Sequence, residues 1–532
     1  MGRLTSFDMD IHGEYNPLKN IVNDLSFMLG YRFTNDTYLY SYGEGHNTSS
    51  DYMNDLSNTT SSLHFSEGLD SKWRNMAWYL TANYSLRNRY LFSAELDMET
   101  SSKFGKEAPG ALHIGGVSWG LFPKVNAAWI ISAEPWMRNV DWVSLLKLYA
   151  TYSITGNDNV PVYATKTYYQ SSSLMDNAFG WTVANLGNPK LKWESTSTFR
   201  VGLDMKFFND RWSLGGDFFY STTSDLLMKK NLQDEVGLAT MWTNNGSLRN
   251  IGFNVSTIVR AVNLRDWKLD IGASVGHYTN RLTKLNGGAF TTDILGAQIL
   301  TQEGSPIGLF YGYKTNGVFA TASEANKANI GIRNNDGSIS YFSAGDMIFE
   351  DFNHDGLIDE KDRVVIGNPN PDVYGNFSFR LQWKNLSLSS LFTFLAGNDV
   401  YNALRANLES GSTTYNQSVA LLNRWVANGH QTDIPRATYG DPMGNSRFSD
   451  RWIEDGSYLK WKSLELSYEI PLKSSFIQGL SVSVAMNNIL TFTKYLGPDP
   501  EFSYGVSPLY LGVDAGLIAP GREFCFGIKI NL

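Results

Sequence analysis

Cysteine is almost missing from this chain: one in 532 residues. That excludes a disulfide scaffold and any multi-cysteine zinc site. Charge is also scarce. Asp, Glu, Lys and Arg make up 18% of the sequence, against about 25% in ordinary soluble domains. The net charge of −8 leaves no basic excess for a phosphate backbone, so nucleic acid is not an expected partner. No uninterrupted apolar run is long enough for a membrane-crossing helix. Helical periodicity is rare, and its best stretch is about 415–428. The seven histidines show no H-x-x-x-H spacing for a metal. What the chain does have is 14% aromatic residues, 48 glycines and 42% hydrophobic residues overall. That is ample apolar surface, which rules out wholesale disorder.

The hydrophobic period is two almost everywhere. Phe27, Leu29, Tyr31 and Phe33 alternate with Met28, Gly30 and Arg32. Phe199 to Phe207, Trp267 to Val275, Phe377 to Trp383 and Phe524 to Leu532 repeat the pattern. Successive strand side chains point to opposite faces, so these segments carry one apolar face and one more polar face. Asp204, Lys206, Lys268, Asp270, Arg380 and Lys529 fall on the polar face. The spacing predicts about fourteen strands of the length that crosses a bilayer. They fall near 25–35, 75–86, 89–100, 122–133, 143–155, 191–208, 211–225, 249–263, 266–280, 373–384, 386–397, 457–470, 479–490 and 522–532.

Connections between them alternate short and long. Tight turns are expected at Arg87-Asn88, Asn209-Asp210, Leu264-Arg265 and Asn385, and moderately short ones near 134–142 and 471–478. The largest loops are 281–372 and 398–456. Outer-membrane β-barrels place short turns at one end and long loops at the other. Tyr84, Tyr90, Phe207, Trp212, Trp267 and Trp383 flank the tight turns, where an interfacial aromatic girdle falls. The expected fold is therefore all-β, a transmembrane antiparallel β-barrel. The alternatives are a self-sufficient porin-like passive channel and a soluble or surface glycan-binding β-protein. Sandwich strands average about 5–6 residues, however, and have no reason to sort loop lengths by parity.

Local sequences add a resemblance. Phe122-Pro123-Lys124-Val125-Asn126-Ala127-Ala128-Trp129 is similar to an FPxxxxAW strand. The run Leu146-Lys147-Leu148-Tyr149 to Thr155-Gly156-Asn157 resembles LKLRxSYGxTGN, and Asn188-Pro189-Lys190-Leu191-Lys192-Trp193-Glu194 resembles NPxLKWE. Gly367-Asn368-Pro369-Asn370-Pro371 with Tyr374-Gly375, Asp455-Gly456-Ser457-Tyr458-Leu459-Lys460, and Asn487-Asn488-Ile489-Leu490 with Asp499-Pro500-Glu501 follow in order. These are motifs of the SusC/RagA family of TonB-dependent outer-membrane transporters of Bacteroidetes, and the chain resembles their C-terminal barrel portion from about residue 21 to 532. The family's DGSSxFG loop has drifted here to Asp97 through Gly105, and the final residue is Leu532 where the family often has Phe.

The resemblance implies a Gram-negative outer-membrane location in contact with lipid. It implies nutrient uptake of glycan, oligosaccharide or peptide, a SusD-like surface lipoprotein as partner, and coupling to TonB through an N-terminal part. Such transporters are plugged 22-stranded barrels. Residues 1–20 lack an apolar h-region and do not read as a signal peptide. With no plug or TonB box visible, the expectation is a fragment in which 1–20 is a non-signal start and 21–532 is the C-terminal barrel portion.

One motif reads as a metal site. Asp351, Asn353, Asp355, the Leu357 carbonyl, Asp359 and Asp362 stand at positions 1, 3, 5, 7, 9 and 12 of a calcium loop, with Gly356 at the turn and Ile358 as apolar anchor. The expectation is a structural Ca2+ stiffening the 281–372 loop; the other reading is a solvated acidic turn. No catalytic residues are expected. Gly116-Val117-Ser118-Trp119-Gly120 matches G-x-S-x-G, but a nucleophile elbow needs a helix after the serine and a strand is predicted there. Substrate-contacting residues cannot be assembled from these patterns.

Overall fold

The computed structural model describes all residues except 1, 54, 61–62, 176–177, 234, 236, 473–477, 503 and 532. The tail position of Leu532 and most of the expected turn 471–478 lie outside the described residues. The main sheet contains sixteen strands. Along its path run β1 (Gly2–Lys19), β2 (Asn23–Gly45), β3 (His64–Leu86), β4 (Tyr90–Ser101), β5 (Val117–Ile130), β6 (Val143–Asn157), β7 (Glu194–Phe207), β8 (Trp212–Ser224), β9 (Ser247–Asn263), β10 (Trp267–Lys284), β11 (Val373–Trp383), β12 (Leu386–Ala396), β13 (Tyr458–Ile470), β14 (Gly479–Thr493) and β15 (Glu523–Asn531). The remaining strand, Leu112–Ile114, pairs beside β5. Every segment expected from periodicity becomes a strand. β1 was not among them: it adds one strand ahead of the count and keeps the short–long alternation.

The chain divides into two compact units. In the first, β1 to β6 form an antiparallel meander. In the second, β10 to β15 do the same. β6, β7, β8 and β9 contribute residues to both units.

Register converts the sequence alternation into rows across each sheet. In the second unit Leu269, Leu381, Leu388, Leu466, Val484 and Phe526 stand opposite one another in turn. The adjacent row runs Asp270, Arg380, Ser389, Glu465, Ala485 and Cys525. The first unit repeats this with Leu29, Leu80 and Leu96 beside Thr81, Glu95 and Lys124. Shifting any strand by one residue would move its whole apolar set to the other face, so the pattern holds the register. On β15 the apolar row is bare: Phe524, Phe526, Ile528 and Ile530 are all exposed. Strand-length apolar rows left uncovered suit a hydrocarbon surround, and the polar rows suit water.

Turns and girdle follow expectation. Arg87 and Asn88, then Phe208, Asn209 and Asp210, and finally Lys384 take left-handed backbone conformations at the tight turns. Trp267 stacks on Trp383 at 5.7 Å between ring centres, and Phe207 sits 5.3 Å from Trp212.

Two glycines have a specific task. A side chain at Gly30 would collide with the Tyr79 ring. Because that space is empty, Tyr79 lies across β2 and donates from its hydroxyl to Asp10 on β1 at 2.6 Å. Tyr374 uses Gly276 in the same way and reaches Asn254 on β9 at 3.2 Å. An aromatic ring covering a strand glycine pins three strands at once. Gly30→Val should displace Tyr79 and destabilise the β1–β3 region by about 1–3 kcal/mol. The urea-unfolding midpoint of the folded protein in detergent measures this, with Gly13→Val, which meets open space, as the control.

Candidate functional site in the long loops

The long connections of the second unit are not loose. Residues 285–372 build a small sheet from Phe290–Ile294, Ala297–Thr301, Leu309–Gly312 and Val364–Gly367. They also form two short strand pairs and the helix Ala322–Ala328, which Thr321 and Glu324 close with a capping box. The loop 398–456 joins in through Asp399–Asn402. That segment pairs antiparallel with Ile453–Asp455 and parallel with Val513–Asp514 of the loop before β15. Two loops, distant in sequence, thus share one ladder.

Two apolar cores lie beneath. One gathers Tyr313, Val318, Phe319, Phe342, Met347, Phe349, Ile358 and Met443, with Trp425 packed against it. The other gathers Ile294, Ile299, Phe310, Tyr401, Trp452 and Val513. Phe310, Ile299 and Val513 are wholly buried. The expected helix around 415–428 is corrected here: the stretch has a 3-10 helix at Val419–Asn423, and among the described residues the α-helices are Ala322–Ala328 and Ala403–Leu408. The backbone leaves the helical path because Trp425 turns inward, donating from its ring to the Ala320 carbonyl at 3.0 Å and from its backbone to Ile434 at 2.9 Å.

Buried charges fasten the loops. Asp346 is completely buried. It receives two hydrogen bonds from Arg436, at 2.9 and 3.1 Å, and one from Asn445 at 2.9 Å. Asn445 in turn accepts from the Met347 backbone at 2.8 Å. Bidentate pairing of this kind offsets the cost of withdrawing a carboxylate from water. Lys460, also buried, donates to Asp499 at 2.7 Å and to Glu501 at 2.9 Å, and Lys462 adds a bond to Glu501 at 2.7 Å. Burial disfavours the charged form of Glu501, but the two lysines outweigh it and hold the carboxyl below its ordinary range. Burial and the neighbouring Asp293 push the Tyr401 hydroxyl up to about 12. Burial, then a hydrogen bond to Asp514, raises the Tyr495 hydroxyl. Burial pushes the Arg451 guanidinium, which lies 4.3 Å over the Trp452 ring, down to about 10, still charged at neutral pH.

The calcium-loop residues form a tight turn. Gly356 has a φ of +79°, as the sixth position needs. Ile358 is buried in the first core, and its backbone bonds to Gly331 at 2.8 Å. Asp351 accepts from the Gly356 backbone at 2.8 Å, Asp355 from Leu357 at 2.9 Å, and Asn353 from Asp355 at 3.0 Å. Asp359 accepts from Lys361 at 2.8 Å, and the wholly buried Asp362 from Phe352 and Asp359 at 3.0 and 2.9 Å. In this conformation the side chains serve backbone N–H groups. Among the described residues no three acidic, histidine or cysteine side chains converge as a metal site would require. Ser118 of the G-x-S-x-G match lies on β5 and donates to the Gly105 carbonyl at 3.0 Å, as a structural serine.

Antiparallel meanders with apolar rows beside polar rows and an ordered set of long loops are the architecture of an outer-membrane β-barrel. The family described as "TonB dependent receptor-like, beta-barrel" matches residues 4–489, and the chain belongs to it. It is an outer-membrane protein of a receptor and transporter family. Relatives include TonB-dependent receptor P39 of Formosa agariphila, 26% identical over 97% of this chain and 52% of that protein. TonB-dependent receptor SusC of Bacteroides thetaiotaomicron is 27% identical over 87% of this chain and 45% of its own length. Among solved structures, the RagAB peptide transporter superposes with a TM-score of 0.78 at 23% identity, over 99% of this chain and 56% of that one. The chain spans about half the length of the curated relatives it matches.

Lys460→Met should leave Asp499, itself largely buried, without its cation, at a cost of about 3 kcal/mol. Limited proteolysis should then cut the 494–522 loop faster than in wild type. Because the Glu501 carboxyl is held low, its share of stability is present above its ordinary value of 4.5 and is lost as pH falls through the lowered folded value. Loop protection should therefore fall off below about pH 4, the foot of the ordinary carboxylate range.

Proposed function

We propose that this chain forms the barrel portion of a TonB-coupled transporter of the SusC/RagA type that takes up a nutrient, glycan or peptide, across the outer membrane, with a SusD-like surface lipoprotein as partner. The observation that carries the reading is the family match over residues 4–489 on a chain whose long loops are folded around their own cores. Folded loops suit capture and hand-over of a ligand better than an open pore does. Energy coupling through TonB is the task of a plug, and in this proposal it belongs to sequence beyond the barrel. The test is affinity isolation of the tagged chain from its native host. The expected result is recovery from outer-membrane detergent extracts together with a lipoprotein, and ligand uptake that stops when the proton gradient is collapsed. Uptake indifferent to the gradient would favour a passive porin. Recovery without detergent would overturn the barrel reading altogether.

We propose further that the Asp351–Asp362 loop takes a structural Ca2+. Its turn at Gly356 and its anchor at Ile358 support this, though binding requires the side chains to turn inward from their backbone partners. Calcium should raise the thermal midpoint of the wild-type protein and leave an Asp351→Ala/Asp355→Ala variant unchanged. Identical heats and thermal shifts for the two would end the idea.

A further inference from the structure

Lysine is almost never fully buried unless it is paired. Lys460 is 1% exposed, and it is paired twice. Its Nζ stands 2.7 Å from Asp499 Oδ2 and 2.9 Å from Glu501 Oε2. The Asp499 side chain is itself 10% exposed, so bulk water is kept from the contact. An amine, a carboxyl group in contact with it, and a second carboxylate touching the same amine are the parts needed to make an amide.

The surroundings of Asp499 go further than an ion pair requires. Pro498 and Pro500 flank it. Proline fixes its own φ and confines the residue before it to extended backbone, so the carboxyl group is held from both sides. The next backbone N–H, that of Glu501, donates to Asp499 Oδ1 at 2.8 Å. A donor there stabilises negative charge on Oδ1 when the carboxyl carbon becomes tetrahedral. Oδ2, the oxygen on the lysine, is then the one that leaves. Lys460 is held as firmly: it lies opposite Thr393 on one side of β13 and Thr491 on the other.

We propose that Lys460 and Asp499 condense into an intramolecular isopeptide bond, with the ion pair as the state before reaction. The ammonium passes one proton to Oδ2 along their hydrogen bond, which leaves a neutral amine against a neutral carboxyl. The Nζ lone pair then bonds to Cγ, and charge collects on Oδ1. Glu501 takes a second proton from Nζ and hands it to Oδ2 as the Cγ–Oδ2 bond breaks. One water departs, one N–H stays on the new amide, and Glu501 ends as the carboxylate it began as, still paired with Lys462 at 2.7 Å. Fixed contact supplies the effective concentration that free lysine and aspartate lack. The exchange also removes one positive and one negative charge from the interior together, replacing a pair that is costly to desolvate with an uncharged group. The product is a covalent staple across 39 residues, from β13 to the loop before β15. It is independent of what the protein carries.

The experiment is the intact mass of the full chain, purified from outer membranes in detergent, followed by tryptic digestion. Lys460→Arg and Glu501→Gln are purified alongside. Arginine keeps the charge and the pairing, but its guanidinium is too weak a nucleophile to form the amide. Wild type should be lighter than its sequence requires by the mass of one water. Its digest should contain a branched peptide joining the segment with Lys460 to the segment with Asp499, uncut after Lys460. Lys460→Arg should show its full sequence mass, and Glu501→Gln should remain mostly uncondensed. Full sequence mass in wild type, with the two segments recovered as separate peptides, overturns the proposal. A missing water that persists in Lys460→Arg puts the linkage elsewhere and overturns it as well. Undiminished condensation in Glu501→Gln overturns the part given to Glu501. The wild-type mass and digest decide the main point whether or not the variants fold.

Discussion

Backbone pairing is the constraint on which everything else here depends. In hydrocarbon no water is available, so every N–H and C=O must find a partner within the protein. Long antiparallel strands, each laddered to its neighbour in sequence, meet that demand with the fewest connections. β2 and β3 carry 23 residues each, about twice what a crossing needs, so the ladders continue past the membrane and lead into the loops. Once the ladders are set, each row of side chains has one surrounding. The Leu269–Phe526 row is apolar from strand to strand and the Asp270–Cys525 row is not.

The loops obey a different physics. They lie in water, and their stability comes from burial rather than from ladders. Most of the fully buried apolar side chains of the second unit, among them Trp452, Phe310, Ile299, Met347 and Val513, sit in these connections, with Leu282 near the end of β10 beside them. Buried ion pairs then fix how the loops meet. Asp346 with Arg436 ties the 285–372 connection to the 397–457 connection, and Lys460 with Asp499 and Glu501 ties the loop before β15 to β13. A buried pair contributes little net stability, but removing one partner strands the other. Such pairs therefore act to select one arrangement of three loops among many.

Legibility divided along the same line. Strands β2 to β15 were readable because period two is a local signal, repeated every second residue. The tight turns and the girdle aromatics were readable for the same reason. β1 carries the same signal, with Phe7, Met9 and Ile11 alternating with Asp8, Asp10 and His12, but residues 1–20 read as a start segment and not as a strand. The calcium-like spacing correctly implied a tight turn at Gly356 and a buried Ile358. It carried no information on where the carboxylates would point.

The remaining features had no local trace at all. Asp346 and Arg436 are 90 residues apart, and Lys460 and Asp499 are 39 apart. Asp499 and Glu501 could be noticed as a pair in a motif, but their partner could not. The sequence by itself determined the β architecture, the faces of the strands and the membrane as surrounding, because alternation acts between neighbouring residues. Only the tertiary structure decided which loops pack together and which charges pair, because those contacts close across long stretches of chain that no local pattern encodes.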